Sequence, residues 1–290
     1  VLTVLTQVGG LVYLIARWIS IAVSRRFDLS RLGRWLATTS ASCVLYLIVS
    51  VLVLPPVATS LGRPPLPCSK ASGDRVVPLN RLVCLLNRHY AARPVHGVLA
   101  ALAKHMGEAH PGTVVAYLDA NFALLDGFPL LPHLSHDDGL KIDLAFYYQD
   151  ETGRYRPGAA PSPIGYWAFE EPRQNDPAPC ANRSDLVTLR WDMAFLQPLF
   201  PSMRLDEKRT GSMLRWLAAN ADRLSIDKIL LEPHLKERFG LTDPVVRFQG
   251  CRPARHDDHV HISVKPDATS RQIAWLRAAL AAPRQASRIW

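Results

Sequence analysis

Two long uncharged stretches of apolar residues open the chain. Val1–Ala16 carries no charged residue, and after Arg17 the run stays mostly apolar through Trp18–Val23. The second stretch lies between Arg34 and Arg63, with Cys43–Leu54 as its most apolar part. About 20 apolar residues cross a bilayer core, so residues 1–62 are expected to form a hairpin of two transmembrane helices. The first stretch is interrupted by Gln7, Gly9, Gly10 and Arg17, which the second has no counterpart for. The alternative, a buried hairpin in a soluble protein, expects a polar helix face that neither stretch shows. The connector Ser24–Trp35 holds Arg25, Arg26, Arg31 and Arg34 against a single Asp28. Such an excess marks a cytoplasmic loop, which implies a chain in the inner (cytoplasmic) membrane with everything after residue 62 periplasmic or extracellular. Val1 opens the chain without a basic segment before the apolar run, against a cleavable signal peptide, and the chain reads as a fragment or an alternative start.

Beyond the apolar stretches the periodicity changes. Gly62–Gly73 is rich in Pro, Gly and Ser, and residues 63–78 read as a linker leaving the membrane. Helices are expected over Leu79–Tyr90 and Pro94–Ala109; in the latter Val95, Val98, Leu99 and Leu102 recur at helical spacing, and His110-Pro111-Gly112 is a stop. Thr113–Phe122 reads as a strand, as does Leu140–Tyr147, with Ile142, Leu144 and Phe146 on one face and Lys141, Asp143 and Ala145 on the other. Gln149–Ser184 carries Pro157, Pro161, Pro163, Pro172, Pro177 and Pro179 in a polar background broken by Tyr155, Tyr166, Trp167 and Phe169. A segment this long is either functional, here a lid over a cleft, or disordered. A helix near Arg209–Asp222, strands Lys228–Leu231 and His259–Val264, and a C-terminal helix from about Thr269 to Ala282 complete the pattern. No internal repeat is present. Residues 79–290 are therefore expected to be one α+β domain of roughly 200 residues, its small antiparallel sheet flanked by helices.

Composition and charge sharpen this picture. Hydrophobic residues make up 48% and charged residues 20%, which excludes a disordered chain. The net charge of +9 suggests an acidic partner. Residues 1–62 hold five Arg and one Asp, however, a net of +4, leaving +5 on the rest. Nearly half of the excess is a topology signal. The remainder suits an anionic envelope, and the absence of a basic-aromatic module argues against nucleic acid. Of five cysteines, Cys43 lies in the second apolar stretch, while Cys68, Cys84, Cys180 and Cys251 lie outside. Four cysteines in an oxidising compartment suggest two disulfides with three connectivities. Cys68–Cys84 with Cys180–Cys251 is preferred because the first two are near in sequence. A four-cysteine zinc site is the competing reading, but no CxxC pair is present.

Histidine placement carries the chemistry. Three of the ten fall within His256-Asp257-Asp258-His259-Val260-His261. Strand residues two apart share a face, so His259 and His261 project together while Val260, Ile262 and Val264 face the core. A solvated polar turn is the plainer alternative. The second cluster is Ser135-His136-Asp137-Asp138-Gly139-Leu140-Lys141-Ile142-Asp143. His136, Asp143 and His261 together offer two nitrogens and one oxygen. Three protein ligands with an open fourth position is the pattern of catalytic zinc, whereas structural sites are closed and rich in Cys. The ligand types also suit zinc better than magnesium or calcium.

The two clusters resemble the paired motifs of the zinc peptidases grouped with lysostaphin, D-Ala-D-Ala peptidases and hedgehog, and most closely the penicillin-insensitive murein endopeptidase branch. Ser135, His136, Gly139, Leu140 and Asp143 match its SHxxGLxxD motif, and His256, His259 and His261 its HxxHxH run. A segment like Ile226–Pro233 precedes that run in the family, and the resemblance covers about Thr113–Val264. It implies that His136, Asp143 and His261 ligate zinc, that His259 acts as base or transition-state stabiliser, and that His256 assists. The chain departs from the dipeptidases of the group: it has no ExxH, and Thr113–Phe122 offers no Arg. Asp119 and Asn121 read as solvent-exposed and His133 as a surface loop residue. Asp137, Asp138, Asp257 and Asp258 either orient the imidazoles or simply form turns. Glu232 reads as a strand-end residue rather than a catalytic one. The expected function is a membrane-anchored zinc metallopeptidase hydrolysing an amide bond in peptidoglycan peptides. Alternatives are a metallopeptidase for another extracytoplasmic peptide and a non-catalytic zinc-binding module of the cell envelope. A structural site has no use for His256 and His259, which argues against the last.

Overall fold

The aliphatic residues alternating along the strands build one face of a sheet, and the helical apolar stripes cover that face. The computed structural model describes residues 1–69, 75–131, 133–181 and 194–271. The N-terminal region comprises α1 (Leu2–Thr6), α2 (Gly9–Phe27), α3 (Arg31–Ile48), a π-helical turn (Val49–Val53) and α4 (Leu54–Ser60). The domain adds β1 (Val76–Pro78), α5 (Leu82–Leu85), α6 (Arg93–Ala109), β2 (Val115–Tyr117), β3 (Lys141–Ala145), β4 (Tyr148–Gln149), a 3₁₀ turn (Ala194–Leu199) and β5 (Arg204–Leu205). It closes with α7 (Glu207–Ala219), β6 (Ile226–Leu230), α8 (Pro233–Arg238), β7 (Val246–Arg247) and β8 (His259–Val264). Most of the expected C-terminal helix, beyond Arg271, lies outside the described residues, as do residues 182–184 of the Pro-rich segment.

The domain is α+β, but its sheet is mixed where an antiparallel one was expected. Six strands run in the order β1-β2-β3-β8-β6-β7, and the outer pairs β1–β2 and β6–β7 are parallel. The reason is connectivity. Parallel neighbours need a crossover, and α5 with α6 supplies it at one edge and α8 at the other. Several elements are shorter than their patterns: the Leu79–Tyr90 helix contracts to α5, and the Thr113–Phe122 strand to β2. The start of the expected linker is built into the fold, since Arg63 is buried, and its end, residues 76–78, forms β1.

Val95, Val98, Leu99, Leu102 and Met106 of α6 join Met213, Leu214 and Leu217 of α7 against Ile142, Leu144, Val260, Ile262 and Val264. Asp206 caps α7 by accepting from the Arg209 backbone N–H at 3.0 Å. The opposite face is covered too. Val77, Leu79, Ala116, Leu118 and Ala145 pack with Ala160 and Tyr166, so the Pro-rich segment lies on the sheet as a second layer. Gly165 makes this possible: at φ +83°, a Cβ there would stand 2.2 Å from Leu118 Cδ2. The disulfides Cys68–Cys84 and Cys180–Cys251 form, and the second ties the Pro-rich segment to the loop before β8.

At the N-terminus, the run Arg31–Ser60 is the one described helix long and apolar enough to cross a membrane. The preceding helices break at Gln7, whose φ is +64°, and α2 carries Arg17, Arg25 and Arg26. Leu36, Val44, Leu47, Val51 and Leu52 are exposed along the long helix.

Ile262 is fully buried at the centre of β8, so Ile262→Ala is expected to cost about 2–5 kcal/mol, read as a lower urea midpoint of the detergent-solubilised chain. An unchanged midpoint contradicts the placement of this strand at the centre of the core.

Candidate metal centre

Strand alternation sends His259, His261 and Ser263 to the face of β8 opposite Val260 and Ile262. Antiparallel pairing sets Asp143 of β3 directly across from His261, and Ala145 across from His259. His136 arrives from the loop before β3, which is bound to the body by its backbone. Gly139, at φ +87°, donates to Asn121 Oδ1 at 3.0 Å, and its carbonyl accepts from Ala92 N–H at 2.8 Å. A Cβ on Gly139 would meet Arg63 Nε at 2.5 Å. Leu140 N–H donates to Asp138 Oδ1, an Asx turn that delivers the chain into β3.

The result is a compact, buried donor set. His136 Nε2 lies 3.0 Å from His261 Nδ1 and 3.2 Å from Asp143 Oδ1, and the last two atoms are 2.9 Å apart. Four donors at 2.0–2.1 Å around a tetrahedral ion stand about 3.3 Å from one another, so these spacings are of the right size for a metal. His133 Nδ1 approaches Asp143 Oδ2 at 2.7 Å, and His133, His136 and Asp143 form a buried group able to hold a metal ion. The other such group, Cys68, Cys84 and His89, has both sulfurs committed to a disulfide.

Outer contacts fix which nitrogen each imidazole presents. His136 Nδ1 lies 2.6 Å from the Ala120 carbonyl and must donate to it, leaving the Nε2 lone pair for the cluster. His261 Nε2 bonds Ser263 Oγ at 3.1 Å, leaving Nδ1. His259 Nδ1 bonds Asp258 Oδ1, and Asp258 Oδ2 accepts from the Trp167 backbone N–H at 2.6 Å. His259 Nε2 and His256 Nδ1 are buried without a hydrogen-bond partner among the described residues. Orphaned buried nitrogens are rare and suit a site built to receive something.

The charges of the cluster are strongly coupled. Burial opposes ionisation of Asp143, but His136, His133 and His259 outweigh it and hold its carboxyl well below the usual range. Burial opposes charge on His136 and His259 as well. Asp143 overrides it at His136, and Asp258 with Asp143 overrides it at His259, which rises to about 9. Burial prevails at His261, lowered to about 4, and at His256, lowered by the neighbouring histidines too. One carboxylate thus collects several imidazoles, and a bound cation would take the place of the protons they hold.

Three expectations from sequence need correction. His133 is no surface residue: its side chain is 9% exposed and its ring stacks 5.5 Å from that of His259. Asp119 and Asn121 are buried rather than solvated: Tyr166 of the Pro-rich layer donates to Asp119, and Asn121 is enclosed by its bonds to Tyr90, Gly139 and Lys141. Arg88, read only as part of a helix, pairs with Asp119 at 2.7 Å beside the site. The aspartates divide. Asp258 orients His259 and Asp257 pairs with Arg255, both buried, whereas Asp137 and Asp138 meet Lys141 at the rim. Glu232 is buried behind the site, with Oε1 3.4 Å from the His256 backbone N–H.

Tyr166, Trp167 and Phe169 roof the cluster. Tyr166 O–H contacts Asp143 Oδ2 at 2.9 Å and Asp119 Oδ2 at 3.1 Å. The opening between this roof, His133 and His259 is only about 20 Å³. On the far side of Tyr166 and Trp167 lies a wider cavity of about 210 Å³, bounded by Leu82, Val83, Arg88 and Asp119.

Purified chain equilibrated with Zn²⁺ and freed of excess is expected to retain about one ion by elemental mass spectrometry, and His136→Ala or Asp143→Ala to retain none. His261→Ala is expected to lose the ion, and His133→Ala to weaken it by about 10–100-fold as an outlying contact; the reverse outcome makes His133 the third ligand. Nearby, burial lifts the Glu170 carboxyl to about 7. A folded-state value raised above 4.5 means stability present at low pH and lost as pH rises through 4.5–7. Glu170→Gln is therefore expected to gain on the order of 2 kcal/mol relative to wild type between pH 4.5 and 8, measured by urea unfolding at both values.

A scan of protein-family models finds no match to this chain, and a search of curated proteins finds none either.

Proposed function

We propose that the chain is a membrane-anchored zinc metallopeptidase, of the penicillin-insensitive murein endopeptidase type, that hydrolyses an amide bond in peptidoglycan peptides. The observation that carries the reading is the triangle of His136 Nε2, Asp143 Oδ1 and His261 Nδ1 with the unpartnered His259 Nε2 and His256 Nδ1 beside it. The first three hold the ion; a purely structural centre has no need of the other two. Zinc, when bound, supplies Lewis-acid polarisation of a carbonyl and lowers the pKa of water.

The chain's own groups divide the remaining work. Asp258 holds His259 by Nδ1, which turns Nε2 towards the cluster, 3.8 Å from Asp143 Oδ2. From there His259 takes a proton from the nucleophile or, already positive, stabilises the negative charge that develops on the carbonyl oxygen. His256, kept neutral by burial, is placed to pass a proton on. Tyr166 O–H is a further donor at the same carboxylate, and its segment excludes water. The two disulfides suit an extracytoplasmic domain. A non-catalytic zinc module draws support from one observation, the small opening beneath Tyr166 and Trp167.

Purified murein incubated with the zinc-loaded chain is expected to release shortened cross-linked muropeptides, and chelation to stop the release. His259→Ala is expected to lower the rate by about 10²–10⁴-fold while keeping its zinc. Muropeptide profiles unchanged by the loaded wild type overturn the endopeptidase reading.

A further inference from the structure

The apolar helices and the outer domain are not two bodies on a tether. Val8, Leu54 and Ala58 share a buried cluster with Tyr90 and Ala123. Tyr46 O–H donates to the Leu85 carbonyl at 2.5 Å, and Asn87 Nδ2 donates to Tyr46 Oη and Ser50 Oγ, both at 3.0 Å. Leu124 N–H donates to Gln7 Oε1 at 2.7 Å. The domain is thus fixed against α3 and the π-helical turn through the end of α5 and Asn87 beyond it.

Depth along α3 then becomes readable. Arg34 is the last charged residue before the apolar run. A helix rises 1.5 Å per residue, so Tyr46 and Ser50 stand about 18 and 24 Å beyond Arg34. A hydrocarbon core of about 30 Å starting at Arg34 ends near Leu54. The contacts to Leu85 and Asn87 therefore lie roughly 6–12 Å below the outer boundary. Leu82 and Leu85 of α5, beside an exposed Arg81, are 49% and 50% exposed, and Leu125 in the loop bound by Gln7 is 42% exposed. The hydroxyls of Tyr46 and Ser50 pair with Asn87 Nδ2, while Asn87 Oδ1 is buried without a hydrogen-bond partner among the described residues.

We propose that the outer domain is seated in the outer leaflet on Leu82, Leu85 and Leu125, so that the cavity beside Tyr166 opens to the bilayer, and that the site takes lipid-tethered peptide amides. The cavity is bounded by Leu82, Val83 and Leu86 of the α5 region on one side and by Tyr166 and Trp167, the roof of the metal cluster, on the other. A peptide held at the membrane by an acyl or prenyl chain enters this way with its lipid still in the leaflet. The seating stands without any activity. The substrate class rests on the peptidase reading above.

The seating is tested on the 290-residue chain with Cys43→Ser and one added cysteine, Leu82→Cys or Leu85→Cys, carrying an environment-sensitive fluorophore. Leu52→Cys in the long helix and Arg223→Cys on the domain surface are the controls, in phosphatidylcholine–phosphatidylglycerol vesicles with acyl-chain spin labels. Labels at 82 and 85 are expected to be blue-shifted and quenched like that at 52, and the label at 223 to be neither. If 82 and 85 behave like 223, the seating is wrong; if 52 does as well, the chain does not enter the bilayer and the proposal falls with it. Using two positions guards against a single misfolded variant. For the substrate, a palmitoylated stem peptide is expected to be cleaved at least about tenfold faster than the same peptide without its acyl chain, since confinement raises its effective concentration. Leu85→Asp is expected to reduce only the palmitoylated rate. Equal rates overturn the lipid-tethered substrate while leaving the peptidase reading, and no cleavage of either with intact quenching overturns the peptidase reading but not the seating.

Discussion

Everything at the candidate centre depends on one cross-strand pairing, Asp143 of β3 opposite His261 of β8. Side chains alternate along a strand with period two, so a slip of one residue would turn His259 and His261 into the core and Val260 and Ile262 out of it. Burying two imidazoles among Leu102, Met213 and Leu217 costs far more than any gain at the site. The aliphatic residues of β8 therefore set the register, and the register places the donors. Stability and the proposed chemistry are coupled through the same six residues, His259–Val264.

A sheet with one face given to chemistry usually leaves that face wet. Here the Pro-rich segment lies over it, with Ala160 and Tyr166 in contact with Leu118 and Ala145. Covering the donors strengthens every interaction among them, because the local dielectric falls. The same desolvation makes an unpaired charge untenable, and Asp143 is accordingly surrounded by His133, His136, His261 and Tyr166 O–H. Trp167 is held at φ +67°, a strained conformation for an aromatic residue, with its N–H on Asp258. The contact that fixes the roof thus also orients His259.

Much of this was legible in the order of residues. The Val95–Leu102 stripe, the alternation in Leu140–Tyr147 and His259–Val264, and the Cys68–Cys84 disulfide follow from local spacing or near neighbours, and the structure has them; Cys180–Cys251 was the pair left over. His136, Asp143 and His261 were expected as a group from the resemblance of the two motifs to a zinc peptidase family, while strand periodicity accounts for His259 and His261 sharing a face. Less legible were positions whose role depends on what covers them. Asp119 and Asn121 carry the pattern of a solvated strand face, and only tertiary contacts bury them, Tyr166 over Asp119 and the segments at Tyr90 and Gly139 around Asn121. His133 sits in an irregular loop with no periodicity to report its direction, although an HxxH spacing beside buried Leu130 was a clue.

The sequence by itself determined the elements with strong periodicity and the apolar N-terminal run, since each is encoded by nearest-neighbour spacing, and it offered Cys68–Cys84 with Cys180–Cys251 as the preferred of three pairings. Tertiary structure alone decided the mixed sheet, the incorporation of residues 76–78 as β1, the pairing of Arg88 with Asp119 and the docking of Tyr46 on Leu85. Those contacts join residues about 30–40 positions apart, across crossovers and layers. No local period encodes them; they form because packing two faces of one sheet leaves buried polar groups a single set of partners.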